Sequence, residues 1–318
     1  MIDRPKALEG AARAFAATYL LLQSFGIIGF WLALWRFPEM RSRFFPVDSA
    51  SFLAAMAIVD VTVLPLSGFV AVALLLRSTR WTIPVLWMHA GAAIYAGVLA
   101  IGLWLADRSL WLGAGLMLPT LTTPFLIAWA ATFPRTGGEP SIGTVVLKTA
   151  AQVVVFWLFF LLIVPQALLL VEPWLGFGNA GLATPIRRSI AVTLFTIGSL
   201  IGLSSAWAMA SQGLGTPLPI DPPRRLVVRG PYRIVRNPMA LGGLCQGLSV
   251  AVWFMSPLIA IYIAAGAIIW QLSIRPAEER ELSARFGDDY LHYRSQVRCW
   301  WPILRSYRAP AEADRSAP

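Results

Sequence analysis

Two stretches of this sequence concentrate residues that could do polar chemistry together. Residues 213–238 read GLGTPLPIDPPRRLVVRGPYRIVRNP and carry five arginines, three glycines and, before the closing one, five prolines. Residues 275–286, RPAEERELSARF, add Arg275 and the adjacent carboxylates Glu278 and Glu279. Guanidinium groups bind carboxylates and phosphates, while carboxylates accept hydrogen bonds from ammonium and hydroxyl groups. A rigid, proline-studded loop with donors on one side and an acidic helix on the other could therefore hold a small zwitterionic cofactor. Neither stretch supplies a glycine-rich phosphate loop, a metal-ligand cluster or a nucleophile–histidine pair. His292 is isolated, and a surface position suits it better than a general-base role.

The surroundings of these stretches are apolar. Of 318 residues, 57% are hydrophobic and only 13% charged, against roughly a quarter charged in soluble domains. Hydrophobic runs reach the ~20 residues that cross a bilayer as a helix. Eight spans are expected, at about 14–35, 51–76, 81–105, 110–133, 145–171, 190–210, 239–254 and 257–274. The fold class is thus all-α, a polytopic integral membrane protein with short C-terminal helices outside the membrane. The seventh and eighth spans are separated by Met255 and Ser256 alone, which predicts a tight helical hairpin.

The net charge of +10 does not point to nucleic acid, because the basic residues gather in the loops between spans. With the N-terminus inside, twenty Lys and Arg residues fall on the inner side and six on the outer, which predicts both termini in the cytoplasm. The first run, 15–35, lacks a small-residue cleavage site and reads as a span and not a signal peptide. Cys245 and Cys299 suggest no disulfide framework. Asp60 and His89 lie within the second and third spans, where ionisable groups are costly. Hydrogen bonding to each other or to nearby backbone would explain them, and a translocation path is the functional alternative. Tryptophans near span ends, such as Trp35, Trp81 and Trp104, fit an interfacial belt. After the eighth span, Gly287 marks the end of one short helix. Asp288 and Asp289 suit the first turn of the next, which sets Tyr290, Tyr293 and Val297 on one face.

The strings GPYRIVRNPM at 230–239 and EERELSARFGDDYLHYRSQVRCWWP at 278–302 resemble the isoprenylcysteine carboxyl methyltransferase and phospholipid methyltransferase superfamily, in particular its bacterial members. The family pattern is matched at Gly230, Tyr232, Arg236, Asn237, Pro238, Glu278, Glu279, Leu282, Phe286, Gly287, Tyr290 and Tyr293. Asn237 stands where eukaryotic members have histidine, and Ala240 where tyrosine is usual. The resemblance implies an integral-membrane enzyme that transfers a methyl group from S-adenosylmethionine to a lipophilic acceptor: a lipid amine, a thiol or a carboxylate. It implies membrane lipids as surroundings and, from its bacterial character, an inner-membrane location. It also implies site residues. Leu226, Val227 and Tyr232 would line the nucleoside part of the cofactor site. Asn237 and Pro238, with Met239 and Ala240, would form the turn at the start of the seventh span. Glu278 would accept hydrogen bonds from the cofactor, and the candidate catalytic arginines, Arg236 and Arg275, would orient an anionic part of cofactor or substrate.

Three segments follow from this reading: membrane helices at 1–185, a methyltransferase-like membrane domain at 186–304, and a disordered tail at 305–318. Two other functions stay open at this point. A membrane reductase of related architecture would bind NAD(P)H, with the loop arginines taking its phosphates. A non-enzymatic transporter or scaffold would use Asp60 and His89.

Overall fold

The computed structural model describes residues 8–46, 50–133, 138–177, 184–303 and 306–307. Among these residues every regular element is helical. The α-helices are α1 (Gly10–Arg36), α2 (Ala50–Arg77), α3 (Thr82–Ala106), α4 (Trp111–Leu116), α5 (Leu118–Thr132), α6 (Ile142–Phe156), α7 (Val164–Val171), α8 (Pro185–Ala208), α9 (Pro238–Phe254), α10 (Pro257–Ile269) and α11 (Arg275–Gln296). Among the described residues seven helical segments are long and apolar enough to cross a membrane. The expected seventh span, α9, is the exception to the count of eight. Its 17 residues reach only ~26 Å at 1.5 Å per residue, the low end of what spans a hydrocarbon core. The chain is an integral membrane protein.

Two compact units divide the chain. The first comprises Met1–Gly137 with Leu162–Trp174, and the second Gly138–Leu161 with Leu175–Pro318. The boundary between them lies inside the fifth span, so α6 groups with the C-terminal helices.

In the first unit, α1 packs on α2 and α3 on α5, around Leu20, Leu75, Leu86 and Ile127. The two ionisable residues at membrane depth do not bond each other. His89 Nδ1 lies 2.8 Å from Ser67 Oγ and its Nε2 lies 3.1 Å from Gln23 Oε1. Asp60 accepts a hydrogen bond from Trp31 Nε1 at 3.2 Å. Each is held by side chains of neighbouring helices, and the bonds tie α1 to α2 and α3 as polar links do in membranes.

In the second unit the closest packing is between α8 and α9. Gly198 and Gly242 face each other so nearly that a β-carbon on either would come within 2.8 Å of the other's carbonyl oxygen. Small residues let membrane helices approach to backbone contact, and two hydrogen bonds fasten the pair further along. Gln246 Nε2 donates to Ser199 Oγ at 2.9 Å, and Ser249 Oγ donates to the Ala191 carbonyl at 2.8 Å. Met255 takes a left-handed conformation (φ 50°) and Ser256 caps α10 through the Ile259 N–H at 3.0 Å, so two residues suffice to turn the chain. α8 and α10 each end in a π-helical turn, Met209–Gly213 and Trp270–Ile274. Such turns shift the helical register and are frequent beside functional sites.

Candidate active site

The loop that leaves α8 folds back on the helix end it came from. Leu214 adopts φ 52° after the π turn, and the Gly213 carbonyl accepts from the N–H groups of Arg224 and Arg225 at 2.7 and 3.3 Å. Gly215 then passes Pro223 so closely that a β-carbon would sit 2.6 Å from its Cα, which no side chain tolerates. Between them the Thr216 N–H donates to the Asp221 carbonyl at 2.9 Å. Prolines at 217, 219, 222 and 223 limit the backbone to few conformations, so this polar loop is stiff.

Other segments of the same unit anchor it. Gln152 of α6 donates to Thr216 Oγ1 and accepts from the Leu218 N–H, both at 3.2 Å. Arg225 grips both carboxylate oxygens of Glu139 at 2.8 and 2.7 Å, and Arg224 donates to the Gly138 carbonyl at 3.0 Å. Arg285 of α11 donates to the Pro223 carbonyl at 2.6 Å. Two of the five loop arginines are therefore occupied in holding the loop itself.

Beyond the loop, the side chains of residues 226–228 alternate between two clusters. Val227 is buried with Ala208 and Tyr232, while Leu226 and Val228 pack against Tyr290, Tyr293 and Val297. Of the two residues expected to line one wall, the structure brings only Val227 to Tyr232. Tyr232 sits in the short turn Gly230–Arg233. Its ring is buried, and its hydroxyl has no hydrogen-bond partner among the described residues. Burial, then the neighbouring Tyr293 and Glu278, push its ionisation far above the ordinary tyrosine range. The phenol is therefore a neutral donor, and a buried donor left unpaired is an uncommon and costly arrangement.

Asn237 and Pro238 begin α9, with proline at the first helical position, where no N–H is needed. Asn237 makes no capping bond to the helix and instead donates to Cys299 Sγ at 3.2 Å. Met239 and Ala240 lie in this first turn, both half-buried.

The two adjacent carboxylates divide. Glu279, 9% exposed, lies 2.9 Å from Arg275 Nε, 3.3 Å from Arg236 Nη1 and 3.4 Å from Arg294 Nη2. Glu278, next in the chain but rotated by about 100° around the helix, is half-buried beside Tyr232. Burial first, then repulsion from Glu281 and Glu279, raises its carboxyl from 4.5 to about 7. Arg236, its side chain 10% exposed, keeps two buried nitrogens, Nε and Nη1, without a hydrogen-bond partner among the described residues.

Sequence reasoning did not foresee several contacts that fix this arrangement. Tyr293 Oη donates to the Tyr232 carbonyl at 2.6 Å, and the Arg236 N–H donates to the Arg298 carbonyl at 3.0 Å. Ile303 and Tyr307 donate their backbone N–H groups to the carbonyls of Ile234 and Arg233 at 3.0 and 2.9 Å. Tyr307, inside the segment expected to be a disordered tail, is buried against Tyr293; residues 304–305 and 308–318 lie outside the described residues. The i,i+4 spacing of Arg275 and Glu279 was the one legible signal for the arginine cluster.

Val227, Tyr232, Arg236, Asn237, Arg275 and Glu278 thus converge on the end of the second unit where α8 stops, α9 starts and α10 passes into α11. The class defined is a helical membrane protein with a cluster of polar side chains at the base of a short helical hairpin. Residues 186–289, about a third of the chain, match the phospholipid methyltransferase family. This match agrees with the resemblance carried by the two motifs and supports a membrane methyltransferase of the phospholipid and isoprenylcysteine type. No curated protein and no solved structure matches the chain.

Proposed function

We propose that this protein transfers a methyl group from S-adenosylmethionine to an acceptor dissolved in the membrane, at a site facing the cytoplasm. The observation that carries the reading is the meeting of groups of opposite character in one place, with unbonded donors on two of them. Arg236 has two unbonded buried nitrogens, Tyr232 an unbonded buried hydroxyl, and Glu278 a half-buried carboxyl. A molecule with a carboxylate, an ammonium and ribose hydroxyls answers all three. Arg236 would hold the carboxylate, Glu278 the ammonium or a hydroxyl, and Val227 and Tyr232 the apolar faces. Arg275 stands beside Arg236 on the same anionic side, and Asn237–Ala240 would close the turn beneath. When bound, the cofactor supplies an electrophilic methyl on a sulfonium.

The residues of the chain contribute alignment. Displacement at a sulfonium disperses charge, so a water-poor, moderately polar site serves it, and fixed positioning of the reactants supplies most of the acceleration. An acceptor confined to the bilayer would reach the site between helices, and a soluble cofactor would come from the aqueous side. The location at the end of α8–α10 suits that meeting. The twenty-to-six distribution of basic residues supports both termini, and hence this site, on the cytoplasmic side.

Reduction with NAD(P)H fits less well. A dinucleotide requires several phosphate-binding cations, and Arg224 and Arg225 are already committed to Gly138 and Glu139. Titration calorimetry on detergent-purified protein separates the two. S-adenosylmethionine is expected to bind saturably and NADPH not at all; tight NADPH binding without S-adenosylmethionine binding would reverse the assignment.

A further inference from the structure

The strongest electrostatic feature of the second unit is a carboxylate that the proposed cofactor contacts do not use. Glu279 collects three guanidinium groups from three parts of the chain: Arg236 at the end of the loop, Arg275 one helical turn before it, and Arg294 near the end of α11. One negative charge against three positive ones leaves the cluster cationic, in a setting where burial strengthens every charge interaction. The contacts to Glu279 are unequal. Arg275 Nε makes a hydrogen bond at 2.9 Å. Arg236 Nη1, at 3.3 Å, has the distance of an ion pair but makes no hydrogen bond, and its Nε makes none either. The guanidinium of Arg236 is held in place yet left with bonding capacity, and it is nine-tenths buried.

We infer that Glu279 is a positioning residue, which does not touch the cofactor but fixes Arg236 so that its free N–H groups face the carboxylate of the cofactor's amino-acid end. This rests on the S-adenosylmethionine reading and assigns the two neighbouring carboxylates different tasks. Glu278, turned toward Tyr232, meets the ligand; Glu279, turned into the arginines, orders the group that does. The backbone bond from the Arg236 N–H to Arg298 and the bond from Tyr293 to the Tyr232 carbonyl hold the same segment from the other side. At its side-chain end Arg236 is held by Glu279, its charged partner, and by a hydrogen bond with Tyr290. Without the negative charge, three arginines repel one another, and Arg236, which makes only the longer 3.3 Å contact to Glu279, loses the charge that opposes this repulsion.

Two ligands that differ only at the relevant end provide the test. S-adenosylhomocysteine carries the amino-acid carboxylate, and 5′-methylthioadenosine lacks the whole amino-acid end. In calorimetry the wild-type protein should bind the first more tightly than the second. Glu279→Gln should lower affinity for S-adenosylhomocysteine on the order of ten- to a hundredfold, as expected for loss of a charged hydrogen bond, and leave 5′-methylthioadenosine unchanged. Glu279→Asp, which keeps the charge but shortens its reach, should fall between and serves as the readout if the glutamine variant does not fold. Equal loss for both ligands, no loss for either, or equal wild-type affinity for the two would overturn the positioning role. Wild-type protein that binds neither ligand would instead remove the S-adenosylmethionine reading on which the inference stands.

Discussion

Gly242→Leu should abolish the folded C-terminal unit. A side chain at this position would have to displace backbone, since its β-carbon would meet the Gly198 carbonyl oxygen at 2.8 Å and the Gly202 nitrogen at 2.9 Å. Overpacking a core against flexible side chains costs about 1–3 kcal/mol, and neither contact here is flexible. Forcing α8 and α9 apart would also break the Gln246–Ser199 and Ser249–Ala191 bonds. It would move the first turn of α9, and with it Asn237 and Pro238. Gly266→Leu in α10 is the matched control, because a β-carbon there meets nothing within 4 Å. Thermal unfolding in detergent should show a normal transition for Gly266→Leu and none for Gly242→Leu. Equal transitions would mean that the helix crossing tolerates separation.

Glu278 gives the second large effect, in both binding and pH dependence. Its folded-state value of about 7 stands above the ordinary 4.5, so the folded protein holds this proton more strongly than the unfolded chain. Stability is then greatest with the group protonated in both states. It is lost as pH rises from about 4.5 to about 7, and is level above that. The loss is at most about 3 kcal/mol, and less to the extent that solvent reaches the half-buried carboxyl. Glu278→Gln should remove this segment of the melting-temperature profile. A bound ammonium would reverse the preference and favour the carboxylate, so S-adenosylmethionine binding at pH 6 should release a proton and binding at pH 8 should not. Calorimetry in two buffers of different ionisation enthalpy measures this directly. Glu278→Ala should weaken binding on the order of ten- to a hundredfold. Unchanged affinity would place the cofactor elsewhere.

What the sequence made legible depends on how local each cause is. Apolar runs declare their helices because burial in lipid follows from composition along one segment. Gly287 announced the break in α11, where φ is 51°, because a helix stop needs only one residue. Met255 and Ser256 announced the hairpin for the same reason. Partners set by tertiary packing were less visible. Which of two adjacent carboxylates faces Arg236 depends on the rotation of α11 about its axis, and nothing within residues 275–286 fixes that rotation. The split of Leu226 and Val227 between two clusters depends on tertiary packing that the local sequence does not fix. His89 and Asp60 found Ser67, Gln23 and Trp31, since helix neighbours and not sequence neighbours supply partners in a membrane. The assignment of α6 to the C-terminal unit was likewise invisible, because a helix that spans a bilayer reads the same whichever bundle its two halves join.

The central claim is methyl transfer to a membrane-dissolved acceptor. The most direct measurement incubates the purified protein with S-adenosylmethionine labelled in its methyl group and a bacterial membrane lipid extract, followed by organic extraction. The expected result is label in the organic phase, dependent on wild-type protein and greatly reduced with Glu278→Ala. Label that stays wholly in the aqueous phase with folded protein present, or that reaches lipid equally with the variant, would contradict it.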